Sequence, residues 1–176
     1  MLRPVDLKQV PMDAITMIGK EWMLISAGTH QKYNMMTASW GGIGIMWNKN
    51  VTNIVLRPQR YTLEFINRSE YYALNFFGDQ CRSALNYCGS HSGRDVDKEK
   101  ETGLTPVFDG KAPYFSEARL VLICRKLYQQ TIDPNGFFDK TLDQQNYPNK
   151  DYHEHIIGEI VQVLMADECM RLGEIL

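Results

Sequence analysis

The sequence predicts a mainly β fold with short helices, its strands paired antiparallel. Apolar strand patterns recur in about seven segments. The links between successive patterns are mostly short, which favours antiparallel neighbours over crossover connections. The helical patterns of roughly 10–15 residues that alternate with strands in a doubly wound sheet are missing.

Taken in order, residues 1–20 read as an entry arm carrying Pro4 and Pro11. Trp22 to Gly28 is a first strand closed by a turn, and Tyr33 to Trp40 a second. Gly41 and Gly42 loosen the chain before Ile43 to Trp47 resumes the pattern. Glycines inside strands mark close backbone approach or sharp curvature, as a small closed barrel requires. Asn53 to Arg57 is another strand, stopped by Pro58. Tyr61 to Arg68 suits a short helix whose first turn Thr62 can cap. Tyr71 to Phe77 returns to strand, and Asp79 stands as N-cap of a helix running to Cys88, with Gly89 as its stop. Ser90 to Arg94 forms a turn, and a short helix through Val96 to Glu101 ends at Gly103. Glu117 to Gln130 is a long strand with Ala118, Leu120, Leu122 and Cys124 on one face and a mixed set, Arg119, Val121, Ile123 and Arg125, on the other. Asp139 to Gln145 makes one or two helical turns before Pro148, and His155 to Leu164 is the last long strand, with Gly158 near its start. No internal repeat or low-complexity linker divides the chain, so residues 1–176 are expected to form one domain.

Composition excludes several classes of function. An apolar fraction of 44% and an aromatic fraction of 11% suffice for a core. The net charge of −2, from 19 basic and 21 acidic residues, offers no surplus for gripping nucleic acid. No basic run exceeds Arg125-Lys126, so a membrane-surface patch is unsupported. No apolar run approaches the ~20 residues of a membrane span. Met1 to Asp6 lacks the apolar centre of a secretory signal, and a soluble cytoplasmic protein is expected. The spacing of Cys81, Cys88, Cys124 and Cys169 fits no zinc module, and the thiols are expected buried and reduced. Arg94 to Glu101 alternates in charge as a solvated helix face does.

Four groups of residues can carry chemistry. In Arg57-Pro58-Gln59-Arg60-Tyr61-Thr62 the proline stiffens a turn, and two guanidiniums three residues apart can converge on one oxyanion. The helix start behind them adds free amides. A phosphate site and a surface salt-bridge cluster both fit. In Thr37-Ala38-Ser39-Trp40 the hydroxyls at 37 and 39 share one side of a strand, Ala38 is small, and Trp40 either walls a ring site or fills core. Ser90, His91 and Ser92, followed by Arg94 and Lys98, could complete an anion site, although Lys98 alone reads as a solvated surface residue. His153 and His155 alternate at the mouth of the last strand; as metal ligands they lack an obvious third partner, so no metal is expected, and a histidine near a cofactor or a structural hydrogen bond fits better. No Gly-x-Ser-x-Gly elbow or Gly-x-Gly-x-x-Gly helix start is present.

The ordered set resembles the flavin reductase-like family of FMN-binding split β-barrels, which includes flavoredoxin-type proteins. The matching pieces are Asn34 to Trp40, Arg57 to Thr62, Asn75-Phe76-Phe77, Ser92 to Lys98, and Asp151-Tyr152-His153 leading into Ile157-Gly158-Glu159-Ile160. The resemblance implies an antiparallel split barrel, a homodimer, and FMN held non-covalently near the subunit interface. It implies that Asn34, Thr37, Ser39 and Trp40 line the isoalloxazine, with Ala38 among the cofactor-binding residues. Arg57, Arg60, Thr62 and Lys98 would surround the ribityl phosphate, and Tyr61 and Ser92 would also bind the cofactor. Asn75 and Phe76 would flank the site, and His153, the candidate catalytic residue, would stand near the reactive edge. It further implies an oxidoreductase, most simply an NAD(P)H-dependent flavin reductase; the alternative is a flavoredoxin-type electron carrier served by a protein redox partner.

Overall fold

The computed structural model describes residues 1–169, so the expected domain's last residues, 170–176, lie outside the described residues. Its strands are β1 (Leu2–Pro4), β2 (Met23–Thr29), β3 (Lys32–Ala38), β4 (Gly41–Met46), β5 (Lys49–Leu56), β6 (Tyr71–Phe76), β7 (Pro106–Val107), β8 (Tyr114–Phe115), β9 (Leu120–Thr131) and β10 (Glu154–Ala166). Its α-helices are α1 (Ala14–Thr16), α2 (Tyr61–Arg68), α3 (Arg82–Ser90), α4 (Lys98–Thr102) and α5 (Lys140–Asn146).

Seven strands form one antiparallel path, β3-β2-β6-β9-β10-β5-β4, and β1 adds to it beside β10. The two ends of the path, β3 and β4, follow each other in the chain yet share no ladder, and there the barrel is split. Short turns set this order. β2 and β3 meet across His30-Gln31, where Gly28 has φ 120° and an added Cβ would lie 2.5 Å from the Lys32 carbonyl oxygen. β4 and β5 meet across Trp47-Asn48, both at positive φ (52° and 58°), the backbone of a two-residue hairpin loop. β10 slips register between Ile157 and Gly158 and again between Ile160 and Gln162. These irregularities bend a 13-residue strand so that its first half pairs with β5 and its end with β1. At Gly158 the Tyr72 hydroxyl packs where a Cβ would stand, 2.3 Å from it.

Two apolar clusters cover the two faces of the sheet. The interior one joins Met23, Ile25, Met36, Ile54, Tyr72, Leu122, Cys124 and Ile156 with Leu63 and Ile66 of α2. The outer one joins Leu24, Met35, Val121 and Ile123 with Leu85 and Cys88 of α3 and with Phe115. Val121 and Ile123 are therefore core residues, and Arg125 of β9 with Arg119 just before it give the 119–125 face its mixed look. The entry arm is more ordered than expected: Leu2, Arg3 and Pro4 pair with Ala166, Met165 and Leu164, and Met17–Glu21 winds into a π-helical turn. The helix expected from Asp79 divides into a 3-10 turn, Asp79–Cys81, and α3, which continues past Gly89 to Ser90. Cys81, Cys88 and Cys124 are buried free thiols, and Cys169 is partly buried. Among the described residues no helix is long and apolar enough to cross a membrane.

Candidate functional site

The turn Arg57–Arg60 closes with an Arg60 N–H bond to the Arg57 carbonyl, 3.0 Å, with Pro58 at its second position. It delivers the chain directly into α2. The N-cap is Arg60, at φ −70° and ψ 121°, and no side chain caps the helix. Thr62 is thus not the cap: its hydroxyl instead accepts from the Asn34 amide, 2.9 Å. The N–H groups of Tyr61 and Thr62 have no hydrogen-bond partner among the described residues. In front of them lies a hollow of about 330 Å³ lined by Asn34, Met36, Arg57, Gln59, Arg60, Tyr61, Thr62, Ser90, His91, Ser92, Gly93 and Lys98. Three cations and no carboxylate face it, a donor set that fits a dianionic phosphate.

The three cations differ. Arg57 is spent on its surroundings: it pairs with the Asp151 carboxylate at 2.7 Å and donates to the Asn146 carbonyl at 2.7 Å. Arg60 donates to the Gly89 carbonyl at 3.0 Å and has no carboxylate partner among the described residues. Lys98 is buried, contrary to the solvated reading, because its ammonium spans the Met35 and Cys88 carbonyls at 2.9 Å each. Burial lowers its pKa. Ser92 sits in the loop between α3 and α4, where its hydroxyl accepts from the Arg94 N–H.

β3 is the last strand at its end of the path. Since the Met35 carbonyl reaches off that edge to Lys98, the alternation of an antiparallel strand turns the Thr37 N–H and C=O outward too. The Thr37 hydroxyl is occupied, donating to the Leu85 carbonyl at 2.6 Å. Two further hollows flank this edge. One, of about 180 Å³, is lined by Met36 to Trp40 with Val55, Arg57, Arg60 and His153. The other, of about 290 Å³, takes Thr37, Ala38 and Ser39 with Trp22, Arg60, Leu85, Asn86, Gly89 and Ser90. Arg60 borders all three, so together they make a trough running from the open end of α2 along the β3 edge. Trp40 is 48% exposed and stands as a wall of this trough, not as core.

His153 ends the trough. Its ring lies 5.2 Å from that of Trp40, and its Nδ1 is 2.8 Å from the Tyr147 hydroxyl. Burial first, then the charge of Arg57, depresses its pKa to about 4. The imidazole is therefore neutral at pH 7. His155 bonds Asn53 through Nε2 at 3.1 Å, and no group of three His, Cys, Asp or Glu side chains gathers among the described residues.

Of the residues named from sequence, Asn34, Thr37, Ala38, Ser39, Trp40, Arg57, Arg60, Tyr61, Thr62, Ser92, Lys98 and His153 all border the trough. Asn75 and Phe76 do not. Both are wholly buried in β6 and line none of these hollows. Asn75 binds the Leu24 carbonyl, the Ser26 hydroxyl and the Phe115 N–H, so it ties the sheet to its outer cover. Phe76 belongs to the interior cluster. Sequence reasoning missed Tyr147 and Trp22. Tyr147 sits before Pro148 in the short link to β10, a position that brings it back onto His153. Trp22 has φ 71° and ψ 165°, strain that Arg82 restrains by stacking on the indole at 3.5 Å and donating to the Lys20 and Glu21 carbonyls.

Comparison with known proteins gives a consistent picture. Residues 17–172 match the model of the flavin reductase like domain. No curated protein sequence matches the chain. Among solved structures, the flavoredoxin of Methanosarcina acetivorans superposes with a TM-score of 0.66 at 21% identity, covering 84% of this chain and 69% of its own. An FMN-binding domain of a flavin reductases-like enzyme from Shewanella baltica gives 0.66 at 19%, over 94% and 77%. An FMN-binding protein from Thermus thermophilus gives 0.65 at 18%, over 93% and 82%.

Proposed function

Because this chain belongs to the flavin reductase-like family, we propose that its trough binds FMN non-covalently and that the protein is an NAD(P)H-dependent flavin reductase. The observation that carries this reading is the carboxylate-free hollow at the uncapped start of α2, continuous with the β3 edge. FMN would supply the hydride chemistry there. The chain's own residues bind and orient. Arg60, the Tyr61 and Thr62 amides, Ser92 and Lys98 hold the phosphate, while Arg57, paired with Asp151, walls the hollow and adds little net charge. Asn34 braces Thr62. The outward backbone of Thr37 and the Ser39 side of the strand address the polar edge of the ring, and Trp40 shields it. His153, neutral, provides hydrogen bonding rather than charge.

A homodimer is part of the proposal: Ile45 (72% exposed) on β4, Trp47 (54%) in the turn after it, Tyr128 on β9 and Val161 on β10 leave apolar side chains exposed along the β4-β5-β10-β9 part of the sheet. Unpaired cysteines suit the reducing cytoplasm. The likeness to a flavoredoxin fold supports a second reading, an electron carrier that shares the FMN site but takes electrons from a protein partner. Rapid mixing of the FMN-loaded protein with NADH and with NADPH separates them. Fast bleaching of the flavin with either supports the reductase; no bleaching with both rejects it and leaves the carrier.

A further inference from the structure

We infer that Tyr147 is a positioning residue: its phenol donates to Nδ1 of His153 and so fixes the tautomer in which Nε2 carries the proton and offers an N–H to the trough. This deepens the flavin-site reading and rests on it for what the donor meets. The geometry is direct. The two atoms are 2.8 Å apart, both side chains are buried, and the Tyr147 hydroxyl has no other side-chain partner among the described residues, its oxygen facing the His153 backbone N–H as well. A phenol is a stronger acid than a neutral imidazole N–H, and an imidazole nitrogen is a stronger base than a phenol oxygen. The proton of the shared bond therefore belongs to the phenol, which assigns the imidazole proton to Nε2.

The surroundings hold both partners in place. Arg57 lies over the Tyr147 ring at 5.2 Å while bound to Asp151 and to the Asn146 carbonyl, so the link between α5 and β10 is pinned on both sides of the phenol. Tyr152 packs against the same ring at 4.8 Å. Arg57, Arg60 and Asp151 are the charged groups around the imidazole; the arginines disfavour its cation, and Asp151 opposes them. Nε2 makes no hydrogen bond to any described residue. In the trough, between Trp40 and the two arginines, it stands as a neutral donor. His153 is then suited to an electron-rich atom of a ring system and unsuited to removing a proton through Nε2.

Nitrogen-15 NMR of the imidazoles tests this on protein without flavin, with His153→Asn assigning the signal. The expected wild-type spectrum has a pyrrole-type Nε2 and a pyridine-type Nδ1; the reverse pattern overturns the inference. Tyr147→Phe is expected to turn this into a mixture of tautomers while circular dichroism stays unchanged, and an unaltered pattern in a folded variant also overturns it. If that variant does not fold, the wild-type spectrum still decides. On FMN-loaded protein, Tyr147→Phe is expected to slow reduction by NAD(P)H about tenfold, the worth of one hydrogen bond. The affinity for FMN should stay within about twofold, since the phosphate anchors are untouched. A wild-type protein with the expected tautomer but no affinity for FMN would reject the flavin reading alone.

Discussion

Replacing Arg60 by methionine tests the anion-binding role proposed for the trough. The substitution keeps the length of the aliphatic stem and removes a guanidinium that has no carboxylate partner among the described residues. Its one side-chain bond among the described residues, to the Gly89 carbonyl, is to a neutral acceptor at a part-buried site, so the fold should lose only about 1 kcal/mol. A hydrogen bond to a charged group is worth about 1.5–3 kcal/mol, which is about ten- to 150-fold in affinity. FMN affinity should fall by that factor, while riboflavin, which has the same ring but no phosphate, should change by less than about threefold. Raising ionic strength should weaken FMN binding to the wild type more than to Arg60→Met. Flavin-fluorescence titrations with both ligands read all of this. Equal losses for FMN and riboflavin would show that Arg60 acts on the ring or on the fold; no loss for FMN would remove the phosphate site from the account. Arg57→Met should cost less binding than Arg60→Met, because Asp151 already neutralises Arg57.

The depressed pKa of His153 gives stability a definite slope. Between its folded value of about 4 and the ordinary 6.5, the unfolded chain carries a proton that the folded chain lacks. Stability should therefore rise with pH across that window, as measured by urea unfolding, and His153→Gln should flatten the rise. An equal slope in both proteins would deny the imidazole its buried, neutral state. Gly158→Ala would drive a methyl to 2.3 Å from the hydroxyl of fully buried Tyr72, which bonds Thr52 at 2.8 Å. A loss of about 2–3 kcal/mol is expected from the urea midpoint, and a loss below about 0.5 would mean that the bulge relaxes freely.

The strands with local turns were legible in the sequence because alternation and turn chemistry are local properties. What escaped depended on contacts distant along the chain. The first residues read as an arm because nothing in Leu2–Pro4 announces its pairing with Leu164–Ala166. β9 looked one-sided because Arg119 and Arg125, flanking Val121 and Ile123 on the same face, masked these two, which α3 and the 104–118 segment cover. Lys98 looked solvated within a charged run, yet two carbonyls from β3 and α3 draw it inside. Asn75, which the family resemblance placed beside the cofactor, lines none of the three hollows, and the fold uses it to close a seam of buried backbone groups. The hollow-lining residues Arg57 to Thr62 could be grouped from sequence because they lie within one turn-helix junction, whereas Tyr147 reaches His153 only through the shape of the α5–β10 link.

A crystal structure of the protein soaked with FMN tests the central claim most directly. The account predicts the phosphate at the open end of α2, within hydrogen-bond distance of Arg60 and of the Tyr61 and Thr62 amides, with the ring along Thr37 to Trp40 and one edge near His153. Flavin density elsewhere, or a trough left vacant at saturating FMN, would contradict it.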